Sequence, residues 1–249
     1  MRGARRLLAL LGVGLSLSLA PAGAAEPLVA DLSNHLVAIT TGFSGASVLL
    51  FGAVDGPGDV VVVVRGPPTP QLLRRKEAVM GIWINRDHAE IDDAPVFYHV
   101  ASTRPLSEIA GPALLDRQQI GLDHLHFSVR GGDHGPGDAA WRAALLRLQR
   151  QTGLYGDQTG RISMMGQELF RTQLDLPVNI PTGSYQVEVY LFRHGDIVSA
   201  QTTPLIIGKI GVGATVYDFA NRHALLYGLL AVLLAVAAGW LAAVAFKKA

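Results

Sequence analysis

The feature that most constrains this chain is a run of 23 residues without a charge, Ala224–Phe246. At about 1.5 Å per residue, an α-helix of this length measures roughly 34 Å, enough to cross the hydrocarbon core of a bilayer. Tyr227 and Trp240 lie near the two ends of the run, where amphipathic rings favour the headgroup level. The tail of residues 247–249 begins with two lysines, and such cations stay on the cytoplasmic side. The sequence therefore predicts one transmembrane helix with a cytoplasmic tail.

The N-terminus has the three zones of a secretory signal peptide. Arginines come first, the apolar run Leu7–Ala20 follows, and Ala22-Gly23-Ala24 forms an A-x-A cleavage pattern. The apolar run is shorter than the roughly 20 residues that a spanning helix needs. A cleaved signal peptide, residues 1–24, is therefore favoured over an uncleaved anchor. The two ends together predict a single-pass protein of the bacterial inner membrane, with residues 25–217 in the periplasm and a juxtamembrane stalk at 218–223.

Composition excludes several classes of function. The chain has no cysteine, which excludes disulfides, thiolate zinc sites, iron–sulfur clusters and cysteine nucleophiles. The formal net charge is only +1, which does not fit a strongly basic nucleic-acid-binding protein. All 20 acidic residues lie between Glu26 and Asp218, so the predicted periplasmic part is mildly acidic. We expect no nucleic-acid partner and no cofactor.

The predicted periplasmic part has the pattern of a mainly β domain. Five consecutive valines, Val60–Val64, are typical of a strand buried on both faces. The spacing from Pro181 to Tyr185 matches the tyrosine corner of immunoglobulin-like sandwiches. Strands separated by turn residues are predicted at 36–41, 46–54, 59–65, 81–85, 97–103, 168–176, 185–193 and 197–203. The expected fold is mainly β, with one or two immunoglobulin-like antiparallel sandwiches, a helical insertion at about 105–153 and the C-terminal transmembrane helix.

The insertion is predicted to hold two helical stretches. The first, residues 105–119, should break at Gly111-Pro112, because proline cannot continue a helix. The second, Ala139–Gln151, has Asp138 as its expected N-cap and Gly153 as its expected C-cap. Its apolar face, which includes Trp141, is expected to pack against the sandwich.

Spaced blocks along the chain resemble the alphaproteobacterial putative transmembrane protein family over roughly residues 28–248. The blocks are Arg74–Glu77, Gly81–Asn85, Pro95–Tyr98, Ala101–Leu106, Leu176–Pro177, Ile180–Tyr185, the hairpin around Leu191-Phe192, Tyr227–Gly228 and Gly239–Trp240. The resemblance implies a signal peptide and one C-terminal span, and it implies no particular reaction. Genes of this family tend to neighbour permeases that resemble sulfite or organosulfonate exporters, which implies an accessory role in anion transport.

The densest positive cluster of the predicted body is Arg74-Arg75-Lys76. Guanidinium groups suit planar oxyanions such as carboxylate, phosphate or sulfite, and Arg86 and Arg104 are expected to converge on the same face. In a strand, Arg74 and Lys76 would point one way and Arg75 the other. The alternative is a solvated strand edge whose charges prevent aggregation.

Aromatic residues near this cluster complete the candidate binding surface, since aromatics and arginine dominate binding hot spots. The candidate ligand- or partner-binding residues are Arg74, Arg75, Lys76, Trp83, Phe97, Tyr98 and Arg104. Trp83 is alternatively a core residue. His124 and His126 would share one side of a strand, but without a third ligand we assign no metal site.

The sequence favours a non-catalytic protein, because neither a nucleophile elbow nor a zinc-binding helix motif is present. The leading expectation is an accessory or interaction subunit of an inner-membrane complex, with a permease or exporter as its partner. The alternative is a membrane-tethered module that binds or senses a small anion in the periplasm. A metal-dependent periplasmic hydrolase comes third.

Overall fold

The computed structural model describes residues 27–132, 137–210 and 219–246, and it confirms a mainly β protein with one long C-terminal apolar helix. The strands are β1 (Leu28–Leu32), β2 (Leu36–Ile39), β3 (Ala46–Val54), β4 (Asp59–Arg65), β5 (Gln71–Val79), β6 (Ile82–Asp92), β7 (Tyr98–Ser102), β8 (Ser128–Gly131), β9 (Gly160–Arg161), β10 (Ser163–Met165), β11 (Leu169–Leu176), β12 (Gly183–Arg193) and β13 (Asp196–Lys209). The helices are α1 (Leu106–Ile109), α2 (Pro112–Gln118), α3 (Asp138–Gln151) and α4 (Ala224–Phe246), with a 3-10 turn at Leu122–His124. Residues 27–210 are called the β body below.

Two sheets pack face to face as one sandwich. The first has the order β1-β3-β11-β10, and the second has the order β2-β13-β12-β4-β7-β9. Most neighbours are antiparallel, but β13 pairs with β2, and β7 with β9, in parallel. Alternate residues of the strands, among them Leu50, Phe170 and Leu191, fill the core between the sheets. The third sheet, β5-β6-β8, is separate from both.

The valine run of β4 is buried on both faces, as the sequence predicts. Val60, Val62 and Val64 point into the sandwich core. Val61 and Val63 point the other way, into a second core beneath α1 and α2. The insertion therefore covers the outer face of the six-stranded sheet.

The tyrosine corner is also confirmed. The Tyr185 hydroxyl donates a hydrogen bond to the carbonyl oxygen of Pro181 at 2.6 Å. Burial raises the pKa of Tyr185 above its usual value, so the phenol stays a donor. This bond fixes the loop that leads into β12 against the sandwich core.

Helix α3 packs elsewhere than expected. Trp141 is buried, but it packs against Leu73, Ala89 and Ile91 of the three-stranded sheet rather than against the sandwich. The expectation for Trp141 was therefore wrong, because β5 and β6 form a sheet of their own that α3 covers. The helix also begins one residue earlier than predicted, since Gly137 takes the N-cap position and Asp138 is the first helical residue.

Most of the other boundaries follow the sequence prediction. The first helical stretch divides into α1 and α2 around Gly111, as expected. β1, β5, β8, β9 and β10 lie outside the strands predicted above, and β8 places a strand inside the insertion. Within the described residues, one helix is long and apolar enough to cross a membrane: Ala224–Val244 has a mean hydropathy of 2.3. The predicted signal peptide, the tail at 247–249 and residue 218 of the predicted stalk lie outside the described residues, while 219–222 are helical.

Candidate functional site

The β5–β6 hairpin projects beyond the rest of its sheet. Leu73 and Ala89 are opposite each other and buried, and β8 pairs with β6 only from Ala89 to Asp92. Past that point every residue from 74 to 88 is exposed or half-buried. We call residues 74–88 the distal arm. An isolated two-stranded hairpin is marginally stable in water, so the arm depends on its buried root for its shape.

The end of the distal arm is apolar all round. Exposed fractions reach 99% for Met80, 70% for Trp83 and 67% for Ile82, and Val79 and Ile84 are also exposed. By strand alternation, Trp83 lies on one face of the ribbon, while the three aliphatic side chains lie on the other. We call residues 79–84 the apolar tip. Large apolar side chains that no neighbour covers mark a contact surface.

The turn of the apolar tip is strained. Val79 pairs with Ile82, which leaves a two-residue turn whose φ angles are 51° at Met80 and 82° at Gly81. Two positive φ angles are the pattern of the type I′ turn, which prefers asparagine or aspartate before glycine. Methionine is unfavourable at a positive φ angle. Because the Met80 side chain is almost fully exposed, no packing contact within the fold compensates for this strain.

Cations surround the distal arm just behind the apolar tip. Arg74 is opposite His88, Arg75 opposite Asp87 and Lys76 opposite Asn85, with a bulge between the last two pairs. Arg74 and Lys76 share one face and Arg75 lies on the other, as alternation predicts. Arg86 donates to Glu77 at 3.1 Å. In the part of the chain that the structure describes, Arg74, Arg75 and Lys76 form no ion pair. We call Arg74, Arg75, Lys76 and Arg86 the basic collar.

Arg104 does not join this cluster. It lies at the end of the six-stranded sheet, where its Nε donates to Asp59 Oδ1 at 2.9 Å and an Nη atom lies 3.5 Å from Glu108. The guanidinium holds the pKa of the Asp59 carboxyl below its usual value. The expectation that Arg104 and the basic collar would form one surface was therefore wrong.

Phe97 and Tyr98 are core residues, which corrects the expectation that they lie on a binding surface. Phe97 packs in the sandwich, with its ring centroid 5.9 Å from that of Tyr185. Tyr98 faces the second core, where its hydroxyl donates to the carbonyl of Gln119 and accepts from the amide of Gly121, both at 2.8 Å. Burial raises the pKa of Tyr98 to about 12. For Trp83 the surface expectation is the one that agrees with the structure: its side chain is exposed, so the alternative that it is a core residue is wrong.

A shallow groove of about 630 Å³ runs along one face of the arm's root. Arg74, Arg86 and Arg130 line it together with Asp87 and Glu90. Arg130 already pairs with Asp92, at 2.5 Å, and lies 3.6 Å from Glu90. The carboxylates therefore compete with any oxyanion for the guanidinium groups.

A larger cleft of about 960 Å³ lies between the insertion and the end of the six-stranded sheet. Its lining includes Asp59, Arg104, Glu108 and His124, and these groups pair with acidic or basic neighbours.

The two candidate metal-binding histidines are not on a strand. His124 ends the 3-10 turn, and His126 follows it in irregular backbone. Both approach Asp116 Oδ1, at 3.6 and 3.1 Å, and they hold the pKa of that carboxyl below its usual value. Among the described residues, no group of three or more His, Asp or Glu side chains could hold a metal ion.

Sequence reasoning missed the role of Arg65, whose guanidinium links the insertion to the sandwich. Arg65, at the end of β4, pairs with Glu188 of β12 and also donates to the carbonyls of Gln118 and Gln119, at 2.7 and 3.1 Å. Tyr190 donates to the same Glu188 carboxylate at 3.0 Å. The one available signal was two charged residues within strands that are otherwise apolar.

With this geometry in place, the comparisons identify the class of protein. The chain matches the model of the family described as "Putative transmembrane protein (Alph_Pro_TM)" over residues 27–248, and it belongs to that family. A search of curated proteins finds no match. Family membership and helix α4 together make this a membrane-associated protein.

Proposed function

We propose that this protein is a non-catalytic accessory or interaction subunit of a membrane complex, and that its β body contacts that complex through the distal arm. The distal arm carries the proposal, because it exposes aromatic, aliphatic and cationic side chains that the fold leaves uncovered. Of these side chains, tryptophan and arginine are the types that contribute most to binding at protein interfaces.

The proposed topology places the β body in the periplasm, α4 in the inner membrane and the C-terminus in the cytoplasm. The N-terminal signal pattern and the two lysines after α4 support this orientation. The family resemblance makes an anion permease or exporter the first partner to look for.

The test of this function is partner recovery from cells. The tagged wild-type chain and the variant Arg74→Ala/Arg75→Ala are crosslinked mildly in cells and extracted in gentle detergent. Co-purifying proteins are then quantified by mass spectrometry. We expect the variant to recover the partner several-fold less well, with unchanged expression, because exposed charges away from packed features scarcely affect stability.

The matched control is Arg147→Ala/Arg171→Ala, which removes the same charge from exposed positions outside the distal arm. It should recover the partner like the wild type. Equal recovery by both double variants would remove the distal arm from the proposal. Absence of any specific membrane partner in the wild-type sample would contradict the accessory role itself.

A second candidate is a tethered anion-binding module, and the groove beside Arg74, Arg86 and Arg130 favours it. A ligand that binds only the folded state raises the unfolding temperature. A rise in the presence of sulfite, sulfate or phosphate that disappears in Arg74→Ala would favour this candidate over the accessory subunit.

A further inference from the structure

We propose that the distal arm is a second membrane contact: its apolar tip enters the interface of the bilayer that α4 spans, and its basic collar binds anionic lipid headgroups. This inference rests on the proposed function, in which the distal arm is the contact surface of the β body. It adds that the apolar tip of the arm contacts lipid.

The shape of the apolar tip favours lipid over a protein pocket. Trp83 covers one face of the ribbon, Val79, Ile82 and Ile84 cover the other, and Met80 forms the end. A convex tip that is apolar on every side suits a fluid apolar layer, which surrounds it without a matching cavity. Tryptophan favours this layer because its ring has both an apolar body and a polar N–H.

The spacing between the apolar tip and the basic collar matches the layers of a bilayer surface. Lys76 precedes Val79 by three residues of β5, which is about 10 Å along a strand. The polar headgroup layer is about 5–8 Å deep on each side of the hydrocarbon core, and long lysine and arginine side chains extend toward the phosphates from a backbone that lies slightly farther out. When the apolar tip reaches the edge of the hydrocarbon, the unpaired collar cations therefore lie among the phosphates.

Charge separates the distal arm from the rest of the body. Residues 74–88 contain four cationic and two acidic side chains, whereas acids outnumber cations in the remainder of the segment from Glu26 to Asp218. An anionic membrane repels that remainder and attracts the distal arm. Lipid charge would therefore select this part of the body for contact.

The fold also roots the distal arm at the end of the sandwich that leads to α4. In the backbone register of the sheet, Arg65, the last residue of β4, lies opposite Gln186 near the start of β12. Gly183, the first residue of β12, lies opposite Ile207 near the end of β13. β5 follows β4 after a short connection, so its root lies at the same end of the six-stranded sheet. Residues 210–223 span at most about 50 Å when extended, which keeps this end near the bilayer.

The absence of cysteine from the chain allows a direct test on the full-length protein. Met80→Cys carries an environment-sensitive NBD fluorophore, and Gln167→Cys, in the exposed turn between β10 and β11, is the matched control. Both proteins are placed in nanodiscs of pure phosphatidylcholine or of phosphatidylcholine with about 30% phosphatidylglycerol. Lipids that carry a doxyl quencher near the headgroup report contact.

We expect the label at position 80 to brighten about threefold, shift to the blue and be quenched by the doxyl lipid in the anionic nanodiscs. The label at position 167 should behave as in water. Adding Arg74→Ala, Arg75→Ala and Lys76→Ala should remove most of the difference between anionic and neutral nanodiscs. If the label at position 80 inserts equally into anionic and neutral nanodiscs while Arg74, Arg75 and Lys76 are intact, the assignment of the basic collar to anionic headgroups is overturned.

A label at position 80 that stays as water-exposed as the control in both lipids would overturn the inference. The proposed function would still be tested separately, by partner recovery from cells. If that recovery still depends on Arg74 and Arg75, the apolar tip binds a protein rather than lipid, and only the lipid inference fails.

Discussion

Replacing Arg65 by methionine is expected to lower the free energy of unfolding of the β body by about 3–5 kcal/mol, the usual cost of breaking a largely buried ion pair. Arg65 and Glu188 are both mostly buried and pair diagonally between the neighbouring strands β4 and β12. Without the guanidinium, the Glu188 carboxylate keeps only the hydroxyl of Tyr190. The carbonyls of Gln118 and Gln119 also lose their donor.

Denaturant unfolding of the full chain in detergent measures this effect, with the change in intrinsic tryptophan fluorescence as the signal, since Trp141 is buried while Trp83 and Trp240 are already exposed. The matched control is Arg104→Met, which breaks the solvent-exposed pair with Asp59 and should change stability far less. The double variant Arg65→Met/Glu188→Leu should recover part of the loss, because two apolar groups no longer leave a buried charge unpaired. An Arg65→Met protein as stable as the control would show that the bonds of Arg65 to Glu188, Gln118 and Gln119 do not stabilise the β body.

Replacing Trp141 by alanine is expected to cost about 3–5 kcal/mol and to loosen the distal arm at its root. The indole of Trp141 covers Leu73, Ala89 and Ile91, the apolar residues that join the distal arm to the body. Its removal leaves a cavity under the root, and a two-stranded ribbon without a packed base frays.

Hydrogen exchange of the full chain separates the local effect from the global one. Backbone amides of β5 and β6 should exchange faster in Trp141→Ala, while those of β4 and β12 should change only as much as global stability requires. The matched control, Trp83→Ala, removes an exposed indole of the apolar tip and should leave stability within about 0.5 kcal/mol of the wild type. Unchanged exchange at β5 and β6 would contradict the role of α3 as the support of the distal arm.

Local patterns predict the sandwich well, because burial on a sheet follows a two-residue period that is visible in the sequence. The valine run of β4 and the tyrosine corner at Tyr185 are both of this kind. The same patterns cannot show what covers the second face of a strand. Phe97 and Tyr98 were therefore predicted on a binding surface, although the sandwich core buries Phe97 and the core beneath α1 and α2 buries Tyr98.

The candidate site was predicted only in part, since its parts depend on contacts between distant residues. Arg74, Arg75, Lys76 and Trp83 do lie together, because one hairpin carries them. Arg104 belongs elsewhere, because it pairs with an Asp59 that no local pattern links to it. Met80-Gly81 lacks the usual asparagine of a tight turn, so the hairpin that forms the distal arm gave no clear signal in the sequence.

The distal arm is proposed as the part of the β body that contacts the membrane complex. A photoreactive amino acid placed at Met80 in living cells tests this claim directly, with the same amino acid at Gln167 as the control. After irradiation, mass spectrometry identifies what is attached to each position. The account predicts attached lipid or membrane protein at position 80 and none at position 167. Capture at position 167 with none at position 80, from a chain that still recovers its partner, would contradict it.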